Sequence, residues 1–207
     1  MKVILKDRMV ILIPETPTER GDVSLWKELH VGHVLAVAGD PGEGLALGDL
    51  GLRDDACREP INIASNAPHP AAKLVSNFGD APFVLDGQDY ASVESFWQSL
   101  KFEKNSDRRR IAALPGAHAR NEGEDRGYGA TVRYGETDIP VGTYEHWQLM
   151  RLACEAKFDQ HFEAREALLS TGDRPLTHVV RRDSRTIPGV LMAEIWMRIR
   201  KKLREGE

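Results

Sequence analysis

One acid and one amine stand seven residues apart in the segment YASVESFWQSLK, residues 90–101. If this segment is an α-helix, seven residues make nearly two full turns, so Glu94 and Lys101 face the same way with Gln98 between them. Their Cα atoms would then lie roughly 10 Å apart along the helix axis. Two long side chains leaning across that gap suit a ligand the size of a sugar ring. Such pairs are more often surface residues of an amphipathic helix, so the spacing alone leaves both interpretations open.

The chain from residue 61 onward predicts an α+β fold that is mainly helical, with a small β-sheet. Ser92 is typical of a helix N-cap, and it precedes a helix expected over 92–103. Strands are expected at 61–63 and 83–85, the second turning through Asp86 and Gly87 toward Tyr90. Further helices are expected at 107–114, at 115–121 with Gly123 as the stop, at 143–162, at 163–170 and at 190–204. Residues 123–142 form the least regular part of this half, and residues 147, 150, 154 and 158 are spaced for one buried face.

Residues 1–59 differ in texture and predict a β-rich N-terminal extension to a domain spanning 60–207. Residues 1–14 alternate short apolar runs with a charged break at 6–8, which favours a hairpin of two strands over a signal-peptide core. The remainder predicts strands and turns, with Asp40-Pro41-Gly42 as a turn signal. The Gly-x-Gly at 42–44 lacks the spacing and the lysine of phosphate-binding motifs, so a plain loop is the better interpretation.

The composition narrows the class of protein. The chain has 207 residues and only two cysteines, Cys57 and Cys154, which read as packing residues in a reducing cytoplasm rather than as a disulfide framework. No apolar run approaches the ~20 residues that a membrane span needs. The net charge of −4 argues against a dedicated nucleic-acid binder, although one local basic face remains compatible with it.

Five groups of residues, in fixed order over roughly residues 61–204, resemble the NADAR family, also called YbiA-like. They are LVSNF at 74–78 with PF at 82–83; YASVESFWQ at 90–98 with KF at 101–102; Met150 with AKF at 156–158 and Gln160; LL at 168–169 with TGD at 171–173; and GVLM at 189–192 with Arg198. The resemblance implies a mainly helical NADAR-type domain. It leaves the first ~60 residues uncovered.

The resemblance also implies an enzyme that cleaves the N-glycosidic bond between ribose and a base or amine. Some members are similar to enzymes acting on phosphoribosyl-aminopyrimidine intermediates of riboflavin synthesis, and others remove ADP-ribose from guanine in nucleic acid. By resemblance, Lys101 attacks the anomeric carbon and holds the sugar as an imine, with Glu94 as its acid/base partner. A carboxylate also stabilises the positive charge that develops on the sugar. This scheme requires no metal and no cofactor.

Substrate contacts are expected from a wider group of residues around this pair. They are Ser76, Asn77, Phe78, Tyr90, Trp97, Gln98, His178, Arg182 and Asp183. Asn77 has the alternative role of capping a turn, Trp97 is equally typical of a core residue, and Lys157 is expected in solvent. The run Arg108-Arg109-Arg110 reads as a solvated helix face or as a phosphate contact.

The chain also departs from the family pattern. The Asp-Trp pair ahead of the long helix is absent from 138–144, His178 replaces an acid, and the Trp-Gly that follows Asp183 in the family is missing. The substrate is therefore less determined than the reaction. The rival interpretations are a non-catalytic module that binds ADP-ribose or NAD, and a protein whose N-terminal segment binds a partner.

Overall fold

The computed structural model describes residues 1–6, 9–30, 33–40, 44–52, 59–180, 184 and 186–206. The chain forms two compact units, one of Met1–Pro60 with Asp173–Pro175 and the other of Ile61–Gly172 with Leu176–Glu207. Among the described residues, no helix combines the length and the apolar character that a membrane crossing requires.

The first unit contains two antiparallel strand pairs and one helix. Strand β1 (Lys2–Lys6) pairs with β2 (Met9–Ile13), which confirms the predicted hairpin. Strand β3 (His33–Asp40) pairs with β4 (Gly44–Leu52). The predicted turn after Asp40 and most of the Gly-x-Gly segment lie outside the described residues, as does Cys57.

Helix α1 (Pro17–His30) corrects the prediction that residues 1–59 contain only strands and turns. A capping box starts it: the Glu19 amide donates to Thr16 Oγ1 (3.2 Å), and the Thr16 amide donates to Glu19 Oε2 (3.1 Å). Pro17 occupies the first helical position, where its missing N–H has no consequence. The Thr-Pro-x-Glu pattern at residues 16–19 is the local sequence signal for the start of this helix.

The second unit is mainly helical, as predicted. Its elements are β5 (Ile61–Asn62), α2 (Pro70–Val75), β6 (Phe83–Leu85), β7 (Gln88–Tyr90), α3 (Val93–Ser99), α4 (Asn105–Ala112), α5 (Gly116–Arg126), β8 (Thr131–Tyr134), β9 (Thr137–Pro140), α6 (Tyr144–Gln160), α7 (Phe162–Leu169), β10 (Leu176–Thr177) and α8 (Gly189–Glu205). The strands form three separate pairs: β5 with β10 in parallel, and the hairpins β6–β7 and β8–β9. The second hairpin lies where the sequence indicated the least regular structure.

Helix α3 lies at the centre of this unit. All seven of its residues are buried, and it packs against α4, α5, α6 and β7. The predicted buried face of α6 is confirmed, since Trp147, Met150, Cys154 and Phe158 are all at most 5% exposed. A helix enclosed on every side cannot present a solvated face, so the polar residues of α3 must be satisfied internally or by a ligand.

Several helix boundaries differ from the prediction by a few residues, helix α2 was not predicted, and two of the differing boundaries affect the site. Helix α3 begins after the N-cap Ser92, as expected, but it ends at Ser99 with Leu100 as C-cap, so Lys101 is not on the helix. Helix α5 runs past Gly123 to Arg126, although Gly123 was expected to stop it. The side chain of Gln98 occupies the space where a Cβ at residue 123 would lie, so a glycine fits at this position of the helix.

Candidate active site

A cavity of about 590 Å³ opens beside α3, between the segment after α2, helix α5 and the start of α8. It brings together Ser76, Asn77, Phe78, Glu94, Trp97, Gln98, Lys101 and His178 from the predicted set, and adds Arg120, Glu124, Tyr128, Met150 and Met192. Arg182 and Asp183 lie outside the described residues.

Tyr90 does not line this cavity, although it was expected to contact substrate. Its ring stacks on Phe83 with the centroids 5.5 Å apart and meets the edge of Phe96 at 5.1 Å. Tyr90 therefore contributes to the packing of the β6–β7 hairpin against α3. The side chain of His178 does reach the cavity, with Nδ1 2.6 Å from the carbonyl oxygen of Ile63.

Glu94 is fixed by its position in the first turn of α3. Its amide donates to the carbonyl of Asn77 (2.9 Å), and its carboxylate Oε1 accepts from Gln98 Nε2 at 2.6 Å. The side chain of Arg120 approaches the same oxygen at 3.8 Å. Burial raises the pKa of Glu94, while the Gln98 hydrogen bond and the charges of Arg120 and Lys101 partly oppose that rise.

Lys101 reaches the cavity from the turn that follows α3. Its Nζ donates to the carbonyl of Gly123 (2.7 Å) and lies 4.5 Å from the centroid of the Tyr128 ring. Burial lowers the pKa of Lys101, the charge of Glu94 raises it, and Arg120 lowers it. The acid and the amine thus line one cavity, although the helical stripe expected to align them is not formed.

The pKa of Glu94 is raised and the pKa of Lys101 is lowered. A raised carboxyl pKa and a lowered amine pKa bring the two groups closer in acidity. The form with a neutral amine and a protonated acid is then a larger fraction of the population than it would be in water. A neutral amine is a nucleophile and a protonated carboxyl is a general acid, so this pair suits attack on carbon with protonation of a leaving group.

Trp97 serves the core and the cavity together. Its ring stacks on His146 with the centroids 4.3 Å apart, and its carbonyl accepts from the Tyr128 hydroxyl (3.3 Å). Burial lowers the pKa of His146 to about 4, so this imidazole is neutral at pH 7. Both expectations for Trp97 describe part of its environment, since it lines the cavity and is only 4% exposed.

The residues Arg120, Glu124 and Tyr128 were not identified from the sequence. Arg120 and Glu124 are four residues apart, a spacing that places both on one face of α5. Because the predicted helix ended near residue 121, that signal was lost. Tyr128 follows the helix C-cap Gly127, and no sequence pattern connects it to α3.

The amide of Asn77 is surrounded by sulfur atoms. Its Nδ2 lies 3.6 Å from Met150 Sδ and 3.7 Å from Met192 Sδ, while the thiol of Cys154 lies 3.9 Å from its Oδ1. The backbone carbonyl of the same residue accepts the Glu94 amide. Asn77 therefore does more than cap a turn, because it joins the end of α2 to α3.

Lys157 was expected in solvent and is instead fully buried. Its Nζ donates to three successive carbonyls, those of Leu74 (2.7 Å), Val75 (3.2 Å) and Ser76 (2.8 Å). Burial lowers the pKa of Lys157 to about 8, which leaves the amine mainly charged at pH 7. The ammonium satisfies the carbonyls at the end of α2, a role that favours a cation there, and so fixes the chain that enters Asn77.

Gly123 permits the closest contact between α5 and α3. A Cβ at this position would lie 2.0 Å from Gln98 Oε1 and 3.1 Å from Gln98 Cβ, and the second atom cannot move away by side-chain rotation. Gln98 is 3% exposed and is bonded to Glu94, so it has no free space to occupy.

We expect Gly123→Ala to destabilise the protein by about 1–3 kcal/mol, the usual cost of overpacking, and to lower any activity that depends on Gln98, Glu94 or Lys101. In an open helix the same change is expected to be neutral or to stabilise by up to about 1 kcal/mol. Gly21→Ala is the matched control, because Gly21 lies within α1 and its added Cβ meets nothing within 4 Å. Equal melting temperatures for the two variants, measured by circular dichroism, would contradict the close contact.

Comparisons with known proteins find related sequences and a related fold. A family model described as bacteriophage protein GP30.3 matches residues 69–205. An uncharacterized 17.1 kDa protein from the Gp30–rIII intergenic region of enterobacteria phage T4 is 37% identical over 73 residues, which are 32% of this chain and 47% of the phage protein. N-glycosidase YbiA of Escherichia coli strain K12 is 32% identical over 111 residues, which are 53% of this chain and 64% of YbiA.

The NMR structure of Escherichia coli YbiA resembles the fold, with a TM-score of 0.53 and 25% identity over 70% of this chain and 85% of that structure. In the sequence comparisons, the matched segments span about half the length of the phage protein and just under two thirds of YbiA. All the residues that carried the NADAR resemblance fall inside the family match, at 69–205.

Proposed function

Because the chain belongs to the family of bacteriophage protein GP30.3 and is related to the YbiA-like N-glycosidases, we propose that it hydrolyses the bond between ribose and the nitrogen of a base or amine. The observation that carries the proposal is the convergence of Glu94 and Lys101 in one cavity, with the pKa of the acid raised and that of the amine lowered.

In the proposed reaction, the neutral amine of Lys101 attacks the anomeric carbon. The glycosidic C–N bond breaks, its electron pair goes to the departing nitrogen, and that nitrogen takes the proton of Glu94. The lysine nitrogen, now an ammonium bonded to the sugar, returns one proton to the Glu94 carboxylate. Its lone pair then forms a C=N bond as the ring C–O bond breaks; the C–O electron pair goes to the ring oxygen, which takes the second nitrogen proton and becomes a hydroxyl, leaving an imine between Lys101 and the open sugar. Water adds to the imine carbon, the C–N bond to Lys101 breaks, and the free sugar leaves with the amine restored.

The surroundings supply what the two reacting groups need. The carbonyl of Gly123 and the ring of Tyr128 hold Nζ of Lys101 in place, and Arg120 lowers the pKa of that amine without forming a bond to it. Gln98 orients the carboxyl of Glu94 through its amide. Asn77 and His178 offer side chains suited to ribose hydroxyls.

The NADAR resemblance implies two candidate substrates, a phosphoribosyl-aminopyrimidine and a guanine carrying ADP-ribose in nucleic acid. The test supplies each to the purified protein and measures release of the base by mass spectrometry, with borohydride present in a parallel sample. Base release together with a reduced sugar adduct on Lys101 is the expected result. Binding without release from either substrate would contradict hydrolysis and favour the rival interpretation, a non-catalytic ADP-ribose or NAD module.

The dependence of turnover on salt separates the two substrates. An oligonucleotide substrate is held partly by its phosphates, so its turnover at subsaturating concentration should fall steeply with salt. A small metabolite should show a much weaker dependence.

A further inference from the structure

A second cavity of about 420 Å³ adjoins the first. Lys101 and Tyr128 line both cavities, so these two side chains form the boundary that the cavities share. The new cavity extends from this boundary past Phe102 to the β8–β9 hairpin. A sugar bonded to Lys101 would therefore lie at the entrance to a space that the proposed reaction does not use.

The charge of this second cavity contrasts with that of the chain. The described residues that line it include the cations Arg108, Arg126 and Arg133, the amine Lys101, and the acids Glu103 and Asp138, so the arginines alone exceed the acids by one positive charge. The chain as a whole carries −4. Positive charge in an acidic protein is thus concentrated in a concave site next to the reacting amine.

Backbone carbonyls orient two of the three arginines in this cavity. The Nε of Arg108 donates to the carbonyl of Phe102 (2.5 Å), and the Nε of Arg126 donates to the carbonyl of Lys101 (3.4 Å). A backbone carbonyl orients a guanidinium without cancelling its charge, because a carbonyl carries no net charge. Both arginines are tied to the segment that carries Lys101, so a ligand they bind is placed relative to the reacting amine.

The acids in the cavity are weak competitors for these arginines. Glu103 is 3.7 Å from Arg126 and Asp138 is 3.8 Å from Arg133, with carboxylate side chains 92% and 63% exposed. Glu136, which does not line the cavity, accepts from Arg133 Nη2 at 3.4 Å, and its side chain is fully exposed. Ion pairs this long and this exposed stabilise little, and a ligand anion displaces them readily. Gly127 and Gly129 also line the cavity, and a Cβ on Gly127 would meet nothing within 4 Å, so space remains beside the backbone.

We propose that this second cavity binds a phosphate group of the substrate, through Arg126 and Arg133 with Arg108. The planar guanidinium fork matches the oxygens of a phosphate, and such charge-assisted bonds are stronger than neutral ones. The proposal rests on the proposed N-glycosidase function, because it places the phosphate on the far side of Lys101 from the first cavity. The run at residues 108–110, read from sequence as a solvated face or a phosphate contact, then contributes through Arg108.

The test is direct binding of inorganic pyrophosphate to the full chain, measured by calorimetry at fixed low salt. We expect the double variant Arg126→Gln, Arg133→Gln to weaken binding by at least about tenfold, the scale of losing one hydrogen bond to a charged group. Arg110→Gln is the matched control, since its side chain is 51% exposed, against 50% for Arg126, and it lies outside the cavity. Equal affinities in the double variant and the control would overturn the proposal.

Assays of the double variant on each candidate substrate show whether the bound phosphate belongs to an oligonucleotide or to a phosphoribosyl metabolite. For an oligonucleotide, the double variant should flatten the plot of log affinity against log salt by about one unit per lost contact. For a phosphoribosyl metabolite, KM should rise at least about tenfold with a nearly flat salt plot. A double variant with unchanged KM on both substrates would also overturn the site.

The phosphate site and the proposed function fail in different ways. Base release by the wild-type chain with pyrophosphate affinity unaffected by the double variant removes the phosphate site and keeps the N-glycosidase. Pyrophosphate binding that depends on Arg126 and Arg133, without base release from either substrate, removes the N-glycosidase and keeps an anion site.

Discussion

Lys101→Arg is expected to lower the rate of base release by several orders of magnitude while leaving the fold intact. Arginine keeps the positive charge and the length of the side chain, but its guanidinium stays protonated in proteins and forms no imine. The measurement is the rate of base release at saturating substrate, followed by mass spectrometry of the borohydride-treated protein. We expect neither turnover nor a sugar adduct.

The control for this variant is Lys104→Arg, because Lys104 is exposed and lines neither cavity. It should retain wild-type turnover and the adduct on Lys101. Substantial turnover by Lys101→Arg would show that the amine acts only as a charge, and the imine mechanism would then be wrong even if the bond cleaved is the one proposed.

Glu94→Gln is expected to lower turnover by roughly 10²–10⁴-fold, the usual contribution of general acid–base catalysis. Glutamine preserves the shape of the side chain and accepts from Gln98, but it has no proton of suitable acidity to give. The pH profile of turnover should also no longer show the ionisation of Glu94. The charge of Glu94 raises the pKa of Lys101, so the remaining ionisation should move to lower pH in this variant.

The same variant should be more stable than the wild type at neutral pH. Burial raises the pKa of Glu94 in the folded protein, so the carboxyl stabilises the fold least above that pKa and most at low pH. Glutamine does not ionise, and its advantage in melting temperature should therefore shrink as the pH falls. Glu122→Gln is the control, since Glu122 is an exposed residue of α5 paired with Arg110. A profile and a melting temperature unchanged by Glu94→Gln would place Glu94 outside the chemistry.

Local signals in the sequence were sufficient for much of the second unit. Ser92 caps α3, Asp86 and Gly87 turn the β6–β7 hairpin, and the apolar spacing of α6 marks its buried face. These features depend on residues close together in the chain, where propensity and periodicity act directly. The NADAR resemblance predicted that Glu94 and Lys101 share a site, and both residues line the first cavity.

Contacts between distant segments were not available from the sequence. The burial of Lys157 depends on carbonyls more than 80 residues earlier in the chain, and no local pattern reports them. Gly123 lies inside α5, where a Cβ would clash with Gln98, a residue of another helix. In each case tertiary packing overrode a sound local expectation, namely that lysines are solvated and that glycines stop helices.

The methionine sulfur atoms around Asn77 lower the energy needed for its side-chain amide to exchange them for a ligand as hydrogen-bond acceptor. Thioether sulfur accepts hydrogen bonds weakly, so the Asn77 amide is held in position without being strongly satisfied. A ligand oxygen that replaces Met150 or Met192 as acceptor gains a bond of ordinary strength and breaks only a weak one. Polarisable, unbranched methionines also adjust their shape at little energetic cost as the ligand enters. In the first cavity, the hydrogen bonds from Asn77 to the methionine sulfurs are therefore weaker than the hydrogen bond that Asn77 can form with a ligand oxygen.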